Sequence, residues 1–263
     1  MKIFMLKNKG KVMSEIRPAY FLKAFDEEVL NMRIFSFGKC NYSCDYCKRG
    51  GYDKDNNQII SGAIEVSEEK IFKEVDDAIN KGQVIRLSGG DPVCYPELSL
   101  RILKYAKDKG GVTSIAHNGS GTEFVRRLIP YLDFASIDLK GDTAQKLSEI
   151  IGIGIDKSIN LFENTIETIR LLTENNIKTD VRTCIFSNIT YEDLDKIAKI
   201  LSENCKQENL FWTLRMFSSV ENCDKESIDI DTLLEYCKRL SASYKELKIG
   251  LRAKWEPEGF IYF

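Results

Sequence analysis

The stretch Arg33-Ile34-Phe35-Ser36-Phe37-Gly38-Lys39-Cys40-Asn41-Tyr42-Ser43-Cys44-Asp45-Tyr46-Cys47 runs from a strand-like segment straight into three closely spaced cysteines. Cys40, Cys44 and Cys47 form a C-x3-C-x2-C triplet, and three thiolates on a loop after a strand can hold three corners of an iron–sulfur cube. Soft thiolates suit zinc equally well, so ligand type alone does not choose the metal. The number of ligands says more, because three leave one position of a four-iron cluster open for a substrate. On spacing alone, a zinc knuckle that borrows a fourth ligand, or chance clustering, also stands.

Further along, Ser88-Gly89-Gly90-Asp91-Pro92 closes a second strand-like run. Paired glycines let a backbone approach a ligand closely and adopt positive φ. Proline then stops the strand and presets a turn. Alone, such a run is more often an ordinary turn. About 40 residues after the triplet, with a helix between, it points to a shared site. Together the two motifs resemble the radical S-adenosylmethionine (radical SAM) superfamily, whose signature is C-x3-C-x-aromatic-C, with Tyr46 in the aromatic position. The glycine run looks like that superfamily's Gly-Gly-Glu-Pro motif, which lies beside the methionyl amino group of SAM. Asp91 stands where the more usual residue is glutamate, one methylene longer.

Strand-like runs at 33–37, 84–88, 112–116, 134–139, 180–186, 211–217 and 247–251 alternate with helix-length amphipathic stretches. Ser67-Glu68-Glu69-Lys70 opens a helix with a capping serine and first-turn acids, and Gly82 stops it. Others begin at Pro96, span 122–132 with an interruption at Pro130, span 158–176, follow Thr190, and cover 231–241. Within 158–176, Ile159, Phe162, Ile166, Ile169 and Leu172 recur at helical spacing. This alternation predicts an α/β fold with a parallel sheet wrapped by helices. About six repeats are too few for an eight-unit barrel, so an open, partial (β/α)6 barrel is expected. The resemblance implies the same architecture. The chain reads as one domain over 1–263, with an N-terminal extension over 1–32, the barrel over 33–220 and a C-terminal helix and tail over 221–263.

In parallel barrels chemistry sits at the C-terminal strand ends, and the polar residues fall there. The triplet and the long loop 38–62 follow the first strand, and Gly89-Gly90 follows the second. His117-Asn118-Gly119-Ser120 follows the third, Asp138-Leu139-Lys140-Gly141 ends the fourth, and Arg182 lies in the fifth. Asp138 and Lys140 alternate with Ile137 and Leu139 and so face one side. Opposite charges facing a barrel interior point to a ligand or an internal ion pair. Arg182 suits the SAM carboxylate in bidentate fashion, or Asp138 itself. His117, the only histidine, reads as a hydrogen-bonded structural residue or as a rim contact. Cys94, Cys184, Cys205, Cys223 and Cys237 are scattered and read as structural, with Cys94 placed at the mouth of the site. The aromatic tail 255–263 is expected to cover the open side of the barrel, and Lys48-Arg49-Gly50-Gly51 reads as a solvated turn or a contact for an acidic donor.

Residues 84–92, Asn118-Gly119-Ser120, Ile137-Asp138-Leu139-Lys140 and Val181-Arg182-Thr183 resemble, in order, motifs of the activating enzymes of glycyl-radical enzymes. That likeness spans about residues 25–220 through short motifs. It departs at the third strand, where those activases commonly read Asp-Thr-Asn-Gly and use the aspartate at a monovalent cation. Here the positions read Ala116-His117-Asn118-Gly119, and alanine offers no oxygen.

The 263 residues are 43% hydrophobic and 30% charged, enough for a sizeable core and a solvated surface. A formal net charge of −2 gives no basic field for nucleic acid. No run approaches the ~18 apolar residues of a membrane span, and no signal-peptide core follows the N-terminal lysines. Eight cysteines without such a signal point to a reducing compartment, the cytoplasm.

The resemblance implies a [4Fe–4S] cluster on Cys40, Cys44 and Cys47, with SAM completing the fourth iron. It implies SAM contacts by Tyr46, Ser88, Gly89, Gly90, Asp91, Asn118, Asp138, Lys140 and Arg182. Reduction by flavodoxin or ferredoxin would cleave SAM to a 5′-deoxyadenosyl radical that takes hydrogen from substrate. Two substrate classes follow: the glycine of a partner glycyl-radical protein, or a small molecule or peptide undergoing dehydrogenation, epimerisation or rearrangement. A zinc-stabilised binding protein is the non-catalytic alternative.

Overall fold

The barrel strands are buried on both faces, with apolar side chains outward beneath the helices and mostly polar ones toward the cavity. The computed structural model describes residues 2–8, 11–12, 14–47, 59–220, 223–254 and 256–263. Four short or edge strands come from outside the repeating pattern: β1 (Ile3–Met5), β2 (Ser14–Pro18), β4 (Ile64–Val66) and β11 (Phe260–Tyr262). The others of the same sheet are β3 (Asn31–Phe37), β5 (Val84–Gly89), β6 (Thr113–His117), β7 (Phe134–Asp138), β8 (Lys178–Ile185), β9 (Leu210–Met216) and β10 (Lys248–Arg252), while Lys7–Asn8 and Lys11–Val12 pair as a separate hairpin. These run parallel in the order β3-β5-β6-β7-β8-β9-β10. The sheet ends at β11 on one side and at β1 and β4 on the other, so the barrel is open. The seven strand-like runs expected from the sequence lie within two residues of these strands.

Helices α1 (Glu68–Asn80), α2 (Pro96–Asp108), α3 (Thr122–Leu128), α4 (Ala144–Ile151), α5 (Ile155–Glu174), α6 (Tyr191–Asn204) and α7 (Ile230–Ser243) pack on the outside. Ser67 caps α1 by accepting from the Lys70 N–H, and Thr190 and Asp193 form a reciprocal capping box on α6. Outward residues such as Ile85, Leu87, Ile115, Ile137, Val181 and Trp212 meet these helices and are fully buried. Each such aliphatic side chain contributes about 1.5–3 kcal/mol of burial.

Two helix expectations change. The 158–176 helix is α5, and the unforeseen α4 precedes it, ended by Gly152 in the left-handed region at φ 67°. Ile159 lies on the outer face of α5, 45% exposed, because the inward stripe is Thr165, Thr168, Ile169 and Leu172. The 122–132 helix stops at Leu128, and Pro130 sits in a 3-10 turn beyond it.

The barrel floor is closed from the N-terminal side. A 3-10 turn over Tyr20–Phe25 inserts Phe21 and Leu22 against Met32, Ile34, Val84, Phe134 and Phe211. Across the open side, β11 adds antiparallel to β10. Its Tyr262 hydroxyl donates to the Tyr20 carbonyl at 2.8 Å, and Phe260 packs on Tyr20 with ring centroids 4.9 Å apart. The aromatic tail therefore spans the lower part of the opening, while Trp255 lies outside the described residues.

Because Leu22 is fully buried under the barrel, Leu22→Ala should lower the unfolding free energy by about 2–5 kcal/mol, read as a reduced urea midpoint at unchanged slope.

Candidate functional site

A cavity of about 520 Å³ opens at the C-terminal ends of the parallel strands. Its walls include every site residue expected from the sequence: Cys40, Cys44, Tyr46, Cys47, Ser88, Gly89, Gly90, Asp91, Asn118, Asp138, Lys140 and Arg182. Lys48-Arg49-Gly50-Gly51, also singled out above, lies outside the described residues.

The cysteine loop is fixed by its backbone to the glycine turn. Gly90 N–H donates to the Phe37 carbonyl and Asp91 N–H to the Lys39 carbonyl, both at 2.7 Å. Gly89 has φ +101°, and a Cβ there would run into the Phe37 backbone. A Cβ on Gly90 would collide with the Lys39 carbonyl. The chain itself thus requires both glycines, so that the loop can leave β3 directly against β5.

Asp91 does more than its short side chain suggested. Oδ1 accepts from His117 Nδ1 at 2.7 Å and from Val93 N–H at 2.9 Å, and Oδ2 accepts from Asn118 N–H at 2.9 Å. His117 Nε2 accepts from Gly121 N–H at 3.2 Å, which places the ring proton on Nδ1. Both ring nitrogens are engaged and the side chain is fully buried, so His117 reads as a structural residue. Asn118 Nδ2 donates to Asn41 Oδ1 at 2.7 Å, and Asn41 Nδ2 donates to Ser120 Oγ at 2.8 Å. Asn41, from inside the cysteine triplet, therefore ties that loop to the turn after β6.

On the other wall, Asp138 is clamped by two cations. Its Oδ1 accepts from Arg182 Nε at 2.8 Å and pairs with Nη2 at 2.7 Å, and its Oδ2 accepts from Lys140 Nζ at 3.1 Å. Burial disfavours the carboxylate, but Arg182 and Lys140 outweigh it and hold Asp138 well below the usual range. Burial likewise opposes the Lys140 charge, and Asp138 with Tyr46 raises it well above an ordinary lysine. Tyr46 accepts from Lys140 Nζ at 3.2 Å and sets its ring edge-on to Phe186.

Burial pushes the Cys44 thiol up to about 11, partly offset by Lys140, and raises Cys40 further with help from Asp91. Metal ions displace such protons on binding. Among the described residues no group of three or more His, Cys, Asp or Glu side chains is gathered closely enough to hold a single metal ion. Tyr42, inside the triplet, lines the cavity with a buried hydroxyl that has no hydrogen-bond partner among the described residues. The donor set and this orphaned hydroxyl fit an iron–sulfur group with a polar ligand beside it.

Two cysteine expectations change. Cys94 packs against the main core and does not line the cavity. Its thiol is pushed up to about 12 by burial, then by Asp91. Cys184 does line the cavity, as do Arg86, Arg215 and Arg252. Strand periodicity carried that signal, because Arg182 and Cys184 alternate on β8 and Arg86 interrupts an otherwise apolar β5.

A model of the radical SAM superfamily matches residues 34–201, and the chain belongs to that superfamily. Membership brings a [4Fe–4S] cluster and SAM as cofactors. A Methanocaldococcus jannaschii protein, provisionally named a glycyl-radical enzyme activating enzyme, is 27% identical over 65% of this chain and 68% of its own length. The 7-carboxy-7-deazaguanine synthase of the same organism is 28% identical over 64% of this chain and 68% of its own. The solved structure of Streptococcus suis SuiB bound to S-adenosylmethionine shares the fold at TM-score 0.64 and 15% identity, covering 90% of this chain and 55% of SuiB.

The Asp138 clamp has a measurable signature. A carboxyl whose folded pKa is depressed contributes stability that is present above its unfolded value, about 3.9, and lost as pH falls below it. Wild-type protein should therefore lose stability steadily below about pH 4. Asp138→Asn, which strands two buried cations, should cost about 3–5 kcal/mol at pH 7 and flatten that acid limb, both read by urea unfolding across pH.

Proposed function

We propose that this radical SAM enzyme binds its [4Fe–4S] cluster through Cys40, Cys44 and Cys47, with SAM at the remaining iron, and takes a hydrogen atom from a small molecule or peptide. One observation carries the reading. The cysteine loop and the Gly89-Gly90 turn are hydrogen-bonded to each other and open on the same cavity as Asp138, Lys140 and Arg182.

When bound, the cluster and SAM supply one-electron reductive cleavage, and with it a carbon-centred radical able to abstract hydrogen. The chain's own groups bind and orient. Gly89 and Gly90 present backbone without side chains at the methionyl end of SAM. Lys140 and Arg182 keep donors beyond those given to Asp138, and these suit the SAM carboxylate. Asp138 holds both cations in place, and Tyr46 buttresses Lys140. Asp91 and Asn41 fix the strand ends and the loop against each other. Reduced flavodoxin or ferredoxin is the expected electron source.

Two observations favour a small substrate. Ala116 stands in the cavity wall where the activases commonly place a cation-binding carboxylate, and β11 with Tyr262 already spans the lower opening. A second reading, activation of a glycyl-radical protein, is supported by the likeness to the Methanocaldococcus jannaschii relative.

Replacing any one of Cys40, Cys44 or Cys47 by alanine should sharply lower bound iron and abolish reductive SAM cleavage after anaerobic reconstitution; full cleavage in such a variant would sink the assignment. Size-fractionated lysate of the source organism separates the substrate readings. A rise in 5′-deoxyadenosine with the small-molecule fraction is the expected result, and a rise only with the macromolecular fraction would move the enzyme to the activating class.

A further inference from the structure

The barrel interior holds more positive charge than the radical SAM reading uses. Arg86 on β5, Lys140 after β7, Arg182 on β8, Arg215 on β9 and Arg252 on β10 all line the cavity. The carboxylates near them are Asp138, Asp180 and Glu15; Glu15 pairs with Arg17 in the same cavity wall, and Asp91 is turned to His117 and Asn118. Asp138 is taken by Lys140 and Arg182. Asp180 accepts from Ser136 and Thr213.

Arg86 and Arg215 are left without a carboxylate within ion-pair distance among the described residues. Arg86 is 3% exposed, and its one side-chain hydrogen bond runs from Nη1 to Ser114 Oγ at 2.7 Å. Burial, then repulsion from Arg182, pulls its guanidinium down to about 9. Arg215 lines the cavity with its Nε buried and without a hydrogen-bond partner. In the sheet register Arg215 lies between Cys184 and Arg252, and burial, Arg215 and Arg182 together push Arg252 well below an ordinary arginine. A buried cation such as Arg86, with further cations beside it, is unfavourable unless an anion offsets the charge.

The SAM carboxylate does not account for this surplus. Lys140 and Arg182 bring two positive charges, which Asp138 and the SAM carboxylate together offset, and Arg86, Arg215 and Arg252 remain beyond them. We propose that the substrate carries a carboxylate or phosphate group, and that Arg215 receives it, with Arg252 and Arg86 adding positive field, at the open edge of the barrel. The planar guanidinium fork matches either group bidentately. This inference rests on the radical SAM reading for what happens to the substrate, but it is tested by binding alone. It can therefore fail while SAM cleavage stands, and stand if cleavage fails.

The test is calorimetric titration of cluster-reconstituted protein with two probes, benzoate and phenyl phosphate, with and without saturating SAM. The expected result is saturable binding of one probe, retained with SAM present and weakened about tenfold or more in Arg215→Gln. The same charge loss at exposed Lys104, in Lys104→Gln, should leave the affinity unchanged. Tighter benzoate would assign a carboxylate, and tighter phenyl phosphate a phosphate. If Arg215→Gln fails to fold, Arg215→Lys keeps the charge but loses the fork, and should still weaken the probe several-fold. Absence of binding by both probes, equal affinity in the Arg215 variant, or displacement by SAM would overturn the proposal.

Discussion

The close approach of the residues before Cys40 to the turn after β5 is the constraint on which the site depends. Two backbone hydrogen bonds, from Gly90 N–H and Asp91 N–H to the carbonyls of Phe37 and Lys39, dock one strand's exit on another's. Neither contact tolerates a Cβ at position 90, because the Lys39 carbonyl occupies that space. The thiols of the triplet consequently open on the cavity that the glycine turn lines. Asp91 extends the docking sideways to β6 through His117 and Asn118, and Asn41 returns it to the cysteine loop. The loop that bears the three cysteines is thereby held by hydrogen bonds to two strand ends, and side chains fixed in advance are what a reactive site needs.

Electrostatics on the opposite wall follow a different logic. Asp138, Lys140 and Arg182 are largely buried together, and their opposite charges favour one another's ionised forms against the cost of burial. The clamp fixes the directions of two cationic side chains at the mouth of the barrel. Beyond it the balance tips, and among the described residues Arg86 and Arg215 line the cavity without a carboxylate in ion-pair distance. The site thus divides into a neutralised part beside the cysteine loop and an anion-seeking part toward β9 and β10. That division is the physical basis for assigning two ligands with different charge requirements to one cavity.

Much of this was legible in the sequence, for reasons that particular residues make plain. The parallel barrel strands showed themselves because outward positions such as Ile85, Leu87, Ile115 and Ile137 must be apolar beneath helices. The triplet and the glycine run were legible because each is local. Strand alternation put Asp138 and Lys140 on one face and left a ligand or an ion pair open, and the structure shows the two in contact. Arg182 was singled out, but Arg86, Arg215 and Arg252 were not, since one arginine in a strand does not reveal that neighbouring strands bring its like beside it. The role of Asp91 was also hidden, because its partners lie on β6, 26 and 27 residues away. Short antiparallel β1, β2 and β4 carry little periodicity and take their form from pairing. Ile159 misled because α5 buries threonines where helical spacing favoured isoleucine.

The central claim is that one open coordination position on a cluster held by Cys40, Cys44 and Cys47 is taken by SAM. Metal and sulfide analysis of anaerobically reconstituted protein, followed by electron paramagnetic resonance of the reduced form titrated with SAM, tests it most directly. The account predicts about four iron and four sulfide per chain and a reduced-cluster signal whose shape changes as SAM is added. Stoichiometric zinc without iron, or a cluster signal indifferent to SAM, would contradict it.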